Sequence, residues 1–232
     1  MERVTEQLQQ EINKVVLGKE QIVRKVLLAI LAQGHVLLED VPGVGKTTLA
    51  KAFSKTLGLT SRRIQFTPDT MPSDIIGFSV FDKSTGALKY QPGAIMTNLV
   101  LADEINRTSS KTQSALLEAM EEMQVTVDGV THPLPAPFVV LATQNPVGSA
   151  GTQMLPPSQM DRFLIKLSMG YPDRASTAAL LKDRHHADPL DVCRTVTDPA
   201  SLEKSIGEAM SVFVADRIYD YIAELVEATR NN

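Results

Sequence analysis

The stretch HVLLEDVPGVGKTT, residues 35–48, decides the fold class of this chain. Residues 35–39 form a short apolar run typical of a buried strand, and Pro42 and Gly43 end it. A helical pattern of apolar residues follows over residues 47–57. The sequence therefore predicts a strand-loop-helix unit, in which the backbone N–H groups of the loop and the helix N-terminus can hold phosphate.

Other apolar segments indicate how this unit is extended into a domain. Two amphipathic helices are predicted before it, at residues 4–16 and 20–32. Further strands are predicted after it, at residues 63–66, 98–103, 138–143 and 163–167. Because strands that alternate with helices form parallel sheets covered on both faces, we expect an α/β fold with a parallel sheet flanked by helices.

Two β-hairpins are predicted as insertions in this α/β pattern. Short aromatic segments at residues 78–81 and 88–90 lie on either side of DKSTG at residues 82–86, which is turn chemistry. A second pair of short strands, rich in Val and Thr, is joined by Asp128 and Gly129. The first hairpin is expected to be inserted in a helix-rich region.

The composition is that of a globular chain and limits the classes of function. Of 232 residues, 43% are hydrophobic and 22% are charged, and the net charge of −4 gives no reason to expect binding to nucleic acid or to an anionic membrane. A single Cys excludes internal disulfides. The longest apolar run, residues 26–32, is too short for a membrane span, and the first residues lack a signal-peptide layout. We expect a cytoplasmic protein.

The C-terminal part is predicted to be helical and distinct from the sheet. Helical patterning runs over residues 173–184, is lost over 188–199, and returns near the end of the sequence with apolar residues at 218, 221, 222 and 225. We therefore expect a nucleotide-binding core at residues 1–187, followed by a linker and the start of a helical lid at residues 188–232.

The loop after the first strand is the strongest candidate for a nucleotide site. Lys46 is expected to reach the β and γ phosphates, and Thr47 to ligate Mg²⁺. The predicted nucleotide-binding residues of the loop are Pro42, Gly43, Val44, Gly45, Lys46, Thr47 and Thr48. Asp40 stands where the general P-loop pattern has its first Gly, so a Pro-Gly turn followed by a Thr cap is the structural alternative.

Three further candidates follow along the chain. Asp103 and Glu104 end an apolar strand, where an Asp can hold Mg²⁺ through water and a Glu can activate the attacking water; alternatively these acids begin the next loop or cap a helix. Asn145 ends the strand expected beside that of Asp103, and can orient the water, contact the γ phosphate, or form a plain Asn-Pro turn. Arg162 is expected to be exposed at the end of a short helix, where it can also complement the helix dipole or pair with Asp161.

The order of these motifs resembles the AAA+ ATPases. More narrowly, GHVLLEDVPG (34–43), DEINR (103–107), ATQNP (142–146) and MDRFL (160–164) are similar to the MoxR family over nearly the whole chain. Members of this family are ring-forming, usually hexameric, chaperone-like ATPases. The resemblance therefore implies that this chain binds ATP or ADP with Mg²⁺ and remodels or matures client proteins. The partners of family members often carry von Willebrand factor A domains.

The resemblance also implies roles for individual residues. Arg162 matches the arginine finger that acts on the neighbouring subunit, Asn145 the sensor 1 residue, and Glu104 the catalytic acid. Gly18 lies in the segment that matches the region beside the adenine base. The hairpins at residues 78–92 and 123–134 match two inserts of the clade. A second sensor Arg belongs to the lid, and because the sequence ends at Asn232 we expect a truncated lid.

Two other functions compete with an ATP-hydrolysing remodelling motor. The first is a nucleotide-dependent scaffold without catalysis. The presence of Glu104 and Arg162 argues against this function. The second is a nucleic-acid motor of the related helicase clade, which would carry basic hairpins, whereas the two hairpins here show no excess of Lys or Arg.

Overall fold

The computed structural model describes residues 2–40, 43–145, 154–183 and 189–230. The helices are α1 (Glu2–Asn13), α2 (Glu20–Leu31), α3 (Lys46–Thr56), α4 (Pro72–Ile76), α5 (Ser110–Glu122), α6 (Pro157–Met160), α7 (Arg174–Asp183), α8 (Pro199–Met210) and α9 (Asp216–Arg230), with 3-10 turns at Ile105–Arg107 and Pro189–Val192. The strands are β1 (Val36–Glu39), β2 (Ser61–Gln65), β3 (Gly77–Asp82), β4 (Ala87–Pro92), β5 (Leu99–Asp103), β6 (Gln124–Val127), β7 (Val130–Pro133), β8 (Val139–Gln144) and β9 (Ile165–Leu167).

Five of these strands form the predicted parallel sheet. Their order is β2-β5-β8-β1-β9, and each neighbouring pair is parallel. β5 lies directly beside β8, with Leu99 opposite Val139, so the strand of Asn145 adjoins that of Asp103 as expected. Because the strands are parallel, the residues that follow β1, β5 and β8 meet at one edge of the sheet.

Alternation along the strands gives the sheet two buried faces. In β1, Val36 and Leu38 belong to a core cluster that includes residues of α1, α2, α3 and α8. Leu37, between them, belongs to a second cluster that includes residues of α5 and of β6. Successive side chains of a strand point to opposite faces, so the helices cover both faces of the sheet and the α/β prediction is confirmed.

Both predicted hairpins are present. β3 pairs antiparallel with β4, and β6 pairs antiparallel with β7. The rings of Tyr90 and His132 stack at 3.8 Å between centroids and 11° between planes, which joins one hairpin to the other. Phe78, Phe81 and Leu88 of the first hairpin are exposed.

The C-terminal helices differ in how they meet the core. Leu202 and Ile206 of α8, together with Cys193, are buried in the core cluster that includes residues of α2, so α8 packs against α2. α9 has no buried residue, and its apolar stripe is exposed. Within the described ranges, no helix is long and apolar enough to cross a membrane. The division into core and lid at residue 188 stays a prediction.

His35 joins three elements at the start of β1. It is 4% exposed, its Nδ1 accepts a hydrogen bond from the Val140 N–H at 3.1 Å, and its Nε2 lies 3.2 Å from the Met120 carbonyl. Burial lowers the pKa of His35, against a smaller opposing effect of the hydrogen bond to Met120. Protonation of Nδ1 would also bring its N–H up against the N–H of Val140, so that two hydrogen-bond donors would face each other.

This histidine should make the fold sensitive to acid. Since the folded pKa lies below the unfolded value of about 6.5, the unfolded chain binds more protons below that pH and stability falls as the pH falls. We expect His35 to add up to about 1.4 kcal/mol per pH unit to this slope, and His35→Gln to remove that contribution. Urea unfolding at several pH values measures it.

Val130→Gln, at an exposed position of β7, introduces the same amide without removing a titratable group, and is the control that should keep the wild-type slope. Equal slopes for the wild type and His35→Gln would contradict this account of His35.

Candidate functional site

The loop between β1 and α3 has the backbone geometry of an anion-binding turn. Gly43 (φ +89°) and Gly45 (φ +96°) both adopt conformations that favour glycine, and a Cβ at either would meet no atom within 4 Å. α3 begins directly after Gly45, and none of the described side chains caps it. Its first N–H groups are therefore available to an anion. Pro42 lies outside the described residues.

Two cavities lie on either side of this loop and share Gly43, Gly45 and Thr48. One, of about 330 Å³, is polar and is lined by Gly43, Gly45, Lys46, Thr47, Thr48, Arg63, Gln65, Asp103 and Glu104. The other, of about 260 Å³, is mostly apolar and is lined by Val15, Val16, Leu17, Lys19, Gly43, Val44, Gly45, Thr48, Met169, Tyr171, Pro172 and Thr177. A polar and an apolar compartment joined by one glycine loop suit the phosphates and the base of a nucleotide.

Lys46 is a buried residue that lines the polar cavity. It is 7% exposed, and its Nζ donates a hydrogen bond of 2.9 Å to the carbonyl of Asp40. Burial lowers the pKa of Lys46, while the carboxylates of Asp103, Asp40 and Glu104 counteract part of this effect. A bound polyphosphate would add further negative charge beside this buried ammonium and favour its charged form.

Asp103 is held from both neighbouring strands. The hydroxyl of Thr143, on β8, donates to its Oδ1 at 2.6 Å. Arg63, on β2, donates to its Oδ2 from Nη2 at 2.6 Å and from Nε at 3.1 Å. The Asp103 carboxylate and the Thr47 hydroxyl line the same cavity and are oxygen ligands of the kind Mg²⁺ prefers, so this donor set fits the metal once Arg63 moves off Oδ2.

Glu104 is held by three side chains in a strained backbone. Its φ and ψ are 59° and 47°, the left-handed region that residues other than glycine rarely adopt. Its Oε2 accepts from Gln65 at 3.0 Å and from Arg107 at 2.8 Å, and its Oε1 accepts from Asn145 at 3.1 Å. Both carboxylate oxygens are thus fixed at the edge of the polar cavity.

The electrostatics of Glu104 favour its ionised form. Burial raises the pKa of its carboxyl, but the hydrogen bonds from Arg107 and Asn145 outweigh burial, so the pKa lies below its usual value. Asp103 opposes this shift through its like charge. At neutral pH Glu104 is therefore a carboxylate that can accept a proton.

Asn145 is fixed through its own backbone. Its N–H donates to Oδ1 of Asn106 at 3.2 Å, and its carbonyl accepts from Nδ2 of Asn106 at 3.2 Å. Its side-chain Nδ2 donates to Glu104, whereas its buried Oδ1 has no hydrogen-bond partner among the described residues. An unpaired buried oxygen beside Glu104 is a position where water or a ligand donor would be favourable.

Three of the predicted site residues that the structure describes line neither cavity: Asn145, Arg162 and Gly18. Arg162 is exposed, and its guanidinium pairs with Glu121 on α5. This guanidinium therefore does not enter the polar or the apolar cavity of its own chain. Gly18 is flanked along the chain by Leu17 and Lys19, which both line the apolar cavity. A Cβ on Gly18 would lie 2.3 Å from Oγ of Ser176, which belongs to α7. The absence of a side chain at Gly18 therefore allows α7 to pack closely against this segment.

Several residues of the site were not predicted from the sequence. They are Arg63, Gln65, Asn106, Thr143 and Tyr171. A signal existed for Arg63 and Gln65, since polar residues at the carboxyl end of a strand in a parallel sheet point to a site. Asn106 and Thr143 lie inside the quoted DEINR and ATQNP motifs, but their contacts depend on how β5 and β8 are paired.

Fold and site together define a P-loop α/β protein, and comparison with known proteins narrows the class. The family model described as "ATPase family associated with various cellular activities (AAA)" matches residues 35–165. YeaC of Bacillus subtilis is 50% identical over 223 residues, which are 96% of this chain and 70% of YeaC. Chaperone MoxR1 of Mycobacterium tuberculosis is 40% identical over 220 residues, 95% of this chain and 58% of MoxR1.

A solved structure agrees with these relatives. The crystal structure of a Cytophaga hutchinsonii protein superposes with a TM-score of 0.88 at 38% identity, covering 98% of this chain and 69% of the other. The chain therefore belongs to the AAA ATPase family and, within it, to the MoxR family. It spans just under three fifths of MoxR1 and about seven tenths of YeaC.

Gly18→Ala should weaken nucleotide binding by displacing α7. The new Cβ would overlap Ser176, and φ +68° disfavours alanine by roughly 1–2 kcal/mol. We expect the dissociation constant for ADP, measured by calorimetry, to rise about tenfold.

Gly86→Ala is the matched control, because Gly86 has φ +69° and nothing within 4 Å of its Cβ position. It should leave ADP affinity unchanged. Equal effects of the two variants on ADP affinity would show that strain alone, and not the approach of α7, explains the loss.

Proposed function

We propose that this chain binds ATP with Mg²⁺ and hydrolyses it. The observation that carries the proposal is the P-loop lying between a polar and an apolar cavity, with Glu104 held at the edge of the polar one. In this proposal Gly43, Val44, Gly45, Lys46, Thr47 and Thr48 hold the phosphates, together with Pro42. Thr47 and Asp103 hold the metal, which would neutralise charge on the phosphate oxygens.

Glu104 is the proposed general base. Its carboxylate would take a proton from the attacking water, and its hydrogen bonds to Gln65, Arg107 and Asn145 would fix the direction of that transfer. The unpaired Oδ1 of Asn145 would accept a hydrogen bond from the same water. These assignments rest on geometry and on the family's chemistry.

Arg162 is proposed to act on a neighbouring subunit. Its side chain lies outside both cavities of its own chain, yet it is exposed at the end of α6. A guanidinium in that position would act on a nucleotide across an interface with a neighbouring subunit, and with the family resemblance this supports the proposal of a hexameric ring. The pair with Glu121 would be exchanged for the neighbour's phosphate.

The work done with ATP is proposed to be the remodelling of a client protein in the cytoplasm. The supporting observation is the relative named Chaperone MoxR1, which matches nearly the whole of this chain. A partner with a von Willebrand factor A domain is part of the same proposal.

Glu104→Gln should retain nucleotide binding and lose turnover. The amide keeps the size of the side chain but cannot accept the proton, so kcat should fall by about 10²–10⁴-fold. The affinity for ATP with Mg²⁺ should stay within about threefold of the wild type, because Glu104 is not proposed to hold the phosphates. A coupled ATPase assay and calorimetry on the same preparations measure both.

Glu203→Gln, an exposed acid on α8, is the control and should have wild-type turnover. Undiminished turnover in Glu104→Gln would refute the assignment. Binding without turnover in the wild type would favour the scaffold function instead.

Arg162→Ala should abolish hydrolysis in the assembled protein without changing nucleotide affinity. Arginine fingers contribute about 10³–10⁵-fold to rates elsewhere. Mixed with Lys46→Ala subunits, it should recover part of the activity, since some interfaces then pair an intact P-loop with an intact Arg162.

Arg24→Ala, on the exposed side of α2, is the control for loss of a surface charge. Rings shown by native mass spectrometry to contain both variants, but without recovered activity, would contradict action across the interface.

A further inference from the structure

Asp40 has a side-chain role that the P-loop pattern does not account for. Its carboxylate is at the position of the usual first glycine and is 6% exposed. Oδ1 accepts from the Ser168 hydroxyl at 2.9 Å and from the Gly170 N–H at 3.1 Å, and Oδ2 accepts from the Met169 N–H. All three donors belong to the short segment that follows β9.

That segment forms one wall of the apolar cavity. Met169, Tyr171 and Pro172 line it, and Thr177 of α7 continues the same wall. On its other side, the Tyr171 carbonyl accepts a hydrogen bond of 2.9 Å from Nζ of Lys19, which also lines the cavity. The wall is thus tied at one end to the N-terminal segment and at the other to Asp40.

The backbone of Asp40, in contrast to its side chain, is hydrogen-bonded to residues at the polar cavity and at the end of β8. Its carbonyl accepts from Lys46 Nζ at 2.9 Å, and its N–H donates to the Gln144 carbonyl at 3.3 Å. One residue therefore connects the start of the P-loop with the wall of the base cavity. Hydrogen bonds to a carboxylate are shorter and stronger than neutral ones, so this connection is stiff.

We propose that Asp40 is a positioning residue that sets the wall of the base cavity relative to the P-loop and so determines how tightly the base of the nucleotide is held. The inference rests on the proposed nucleotide binding. It predicts that Asp40 affects the affinity for ligands that carry a nucleobase and not the affinity for polyphosphate alone. The reason is that all three hydrogen-bond donors to its carboxylate come from the segment that lines the apolar cavity.

The decisive variant is Asp40→Gly, which restores the general P-loop glycine. Although this matches the common pattern more closely, we expect it to raise the dissociation constant for ATP with Mg²⁺ at least tenfold, measured by calorimetry. The dissociation constant for tripolyphosphate with Mg²⁺ should change less than twofold. A purely structural role would lower both affinities together.

Two further variants keep the test informative should Asp40→Gly fold poorly. Asp40→Asn keeps one oxygen but places an NH₂ group where an acceptor is needed. It should lower the affinity for ATP less than Asp40→Gly does, and should likewise leave the affinity for tripolyphosphate unchanged. Ser168→Ala removes a single donor and should raise the dissociation constant for ATP two- to threefold. Asp198→Asn alters a carboxylate that accepts comparable hydrogen bonds from Ser201 at the start of α8, and should change neither affinity.

The outcomes separate the two proposals. Equal loss of ATP and tripolyphosphate affinity, or no loss of either, in correctly folded variants would overturn the role of Asp40 and leave nucleotide binding intact. A wild-type protein that binds neither ligand would overturn the proposed function, and the inference with it.

Discussion

The hydroxyl of Thr143 is the contact on which the geometry of the site depends. It donates to Asp103 at 2.6 Å and accepts from the backbone N–H of Glu104 at 2.8 Å, so one side chain on β8 fixes both acids at the carboxyl end of β5. This is possible because β5 and β8 are neighbours in parallel register and end at the same level. The left-handed conformation of Glu104 is held by that N–H contact and by the three side chains on its carboxylate.

The two acids of the site each pair with an arginine. Arg63 pairs with Asp103 and also donates to Gln65 at 2.6 Å, and Gln65 in turn donates to Glu104. The two acids are therefore connected through β2, and Arg107 completes the charge balance at Glu104. Under the proposed function Asp103 would hold the metal in place of its contact with Arg63. The hydrogen bonds from Arg63 to Gln65 and from Gln65 to Glu104 would then connect metal binding to the proposed general base, Glu104.

How much could be predicted from the sequence depended on the distance between partners along the chain. Gly43 to Thr48 act as one local segment, and Asp103 and Asn145 end apolar strands whose parallel pairing implies that they meet. The contacts of Arg63 with Asp103 depend instead on β2 lying at the edge beside β5, and strand order is not readable from local periodicity. Asp40 meets Gly170 across 130 residues, which no local pattern indicates.

The most direct test of this account is a crystal structure of the protein with Mg²⁺ and a non-hydrolysable ATP analogue. It should place the phosphates over Gly45 and Lys46, the base in the cavity lined by Met169 and Tyr171, and the metal beside Asp103, with Arg63 no longer within hydrogen-bond distance of that carboxylate. Binding of the nucleotide elsewhere, or an unbroken pair of Arg63 and Asp103 with no metal beside it, would contradict the account.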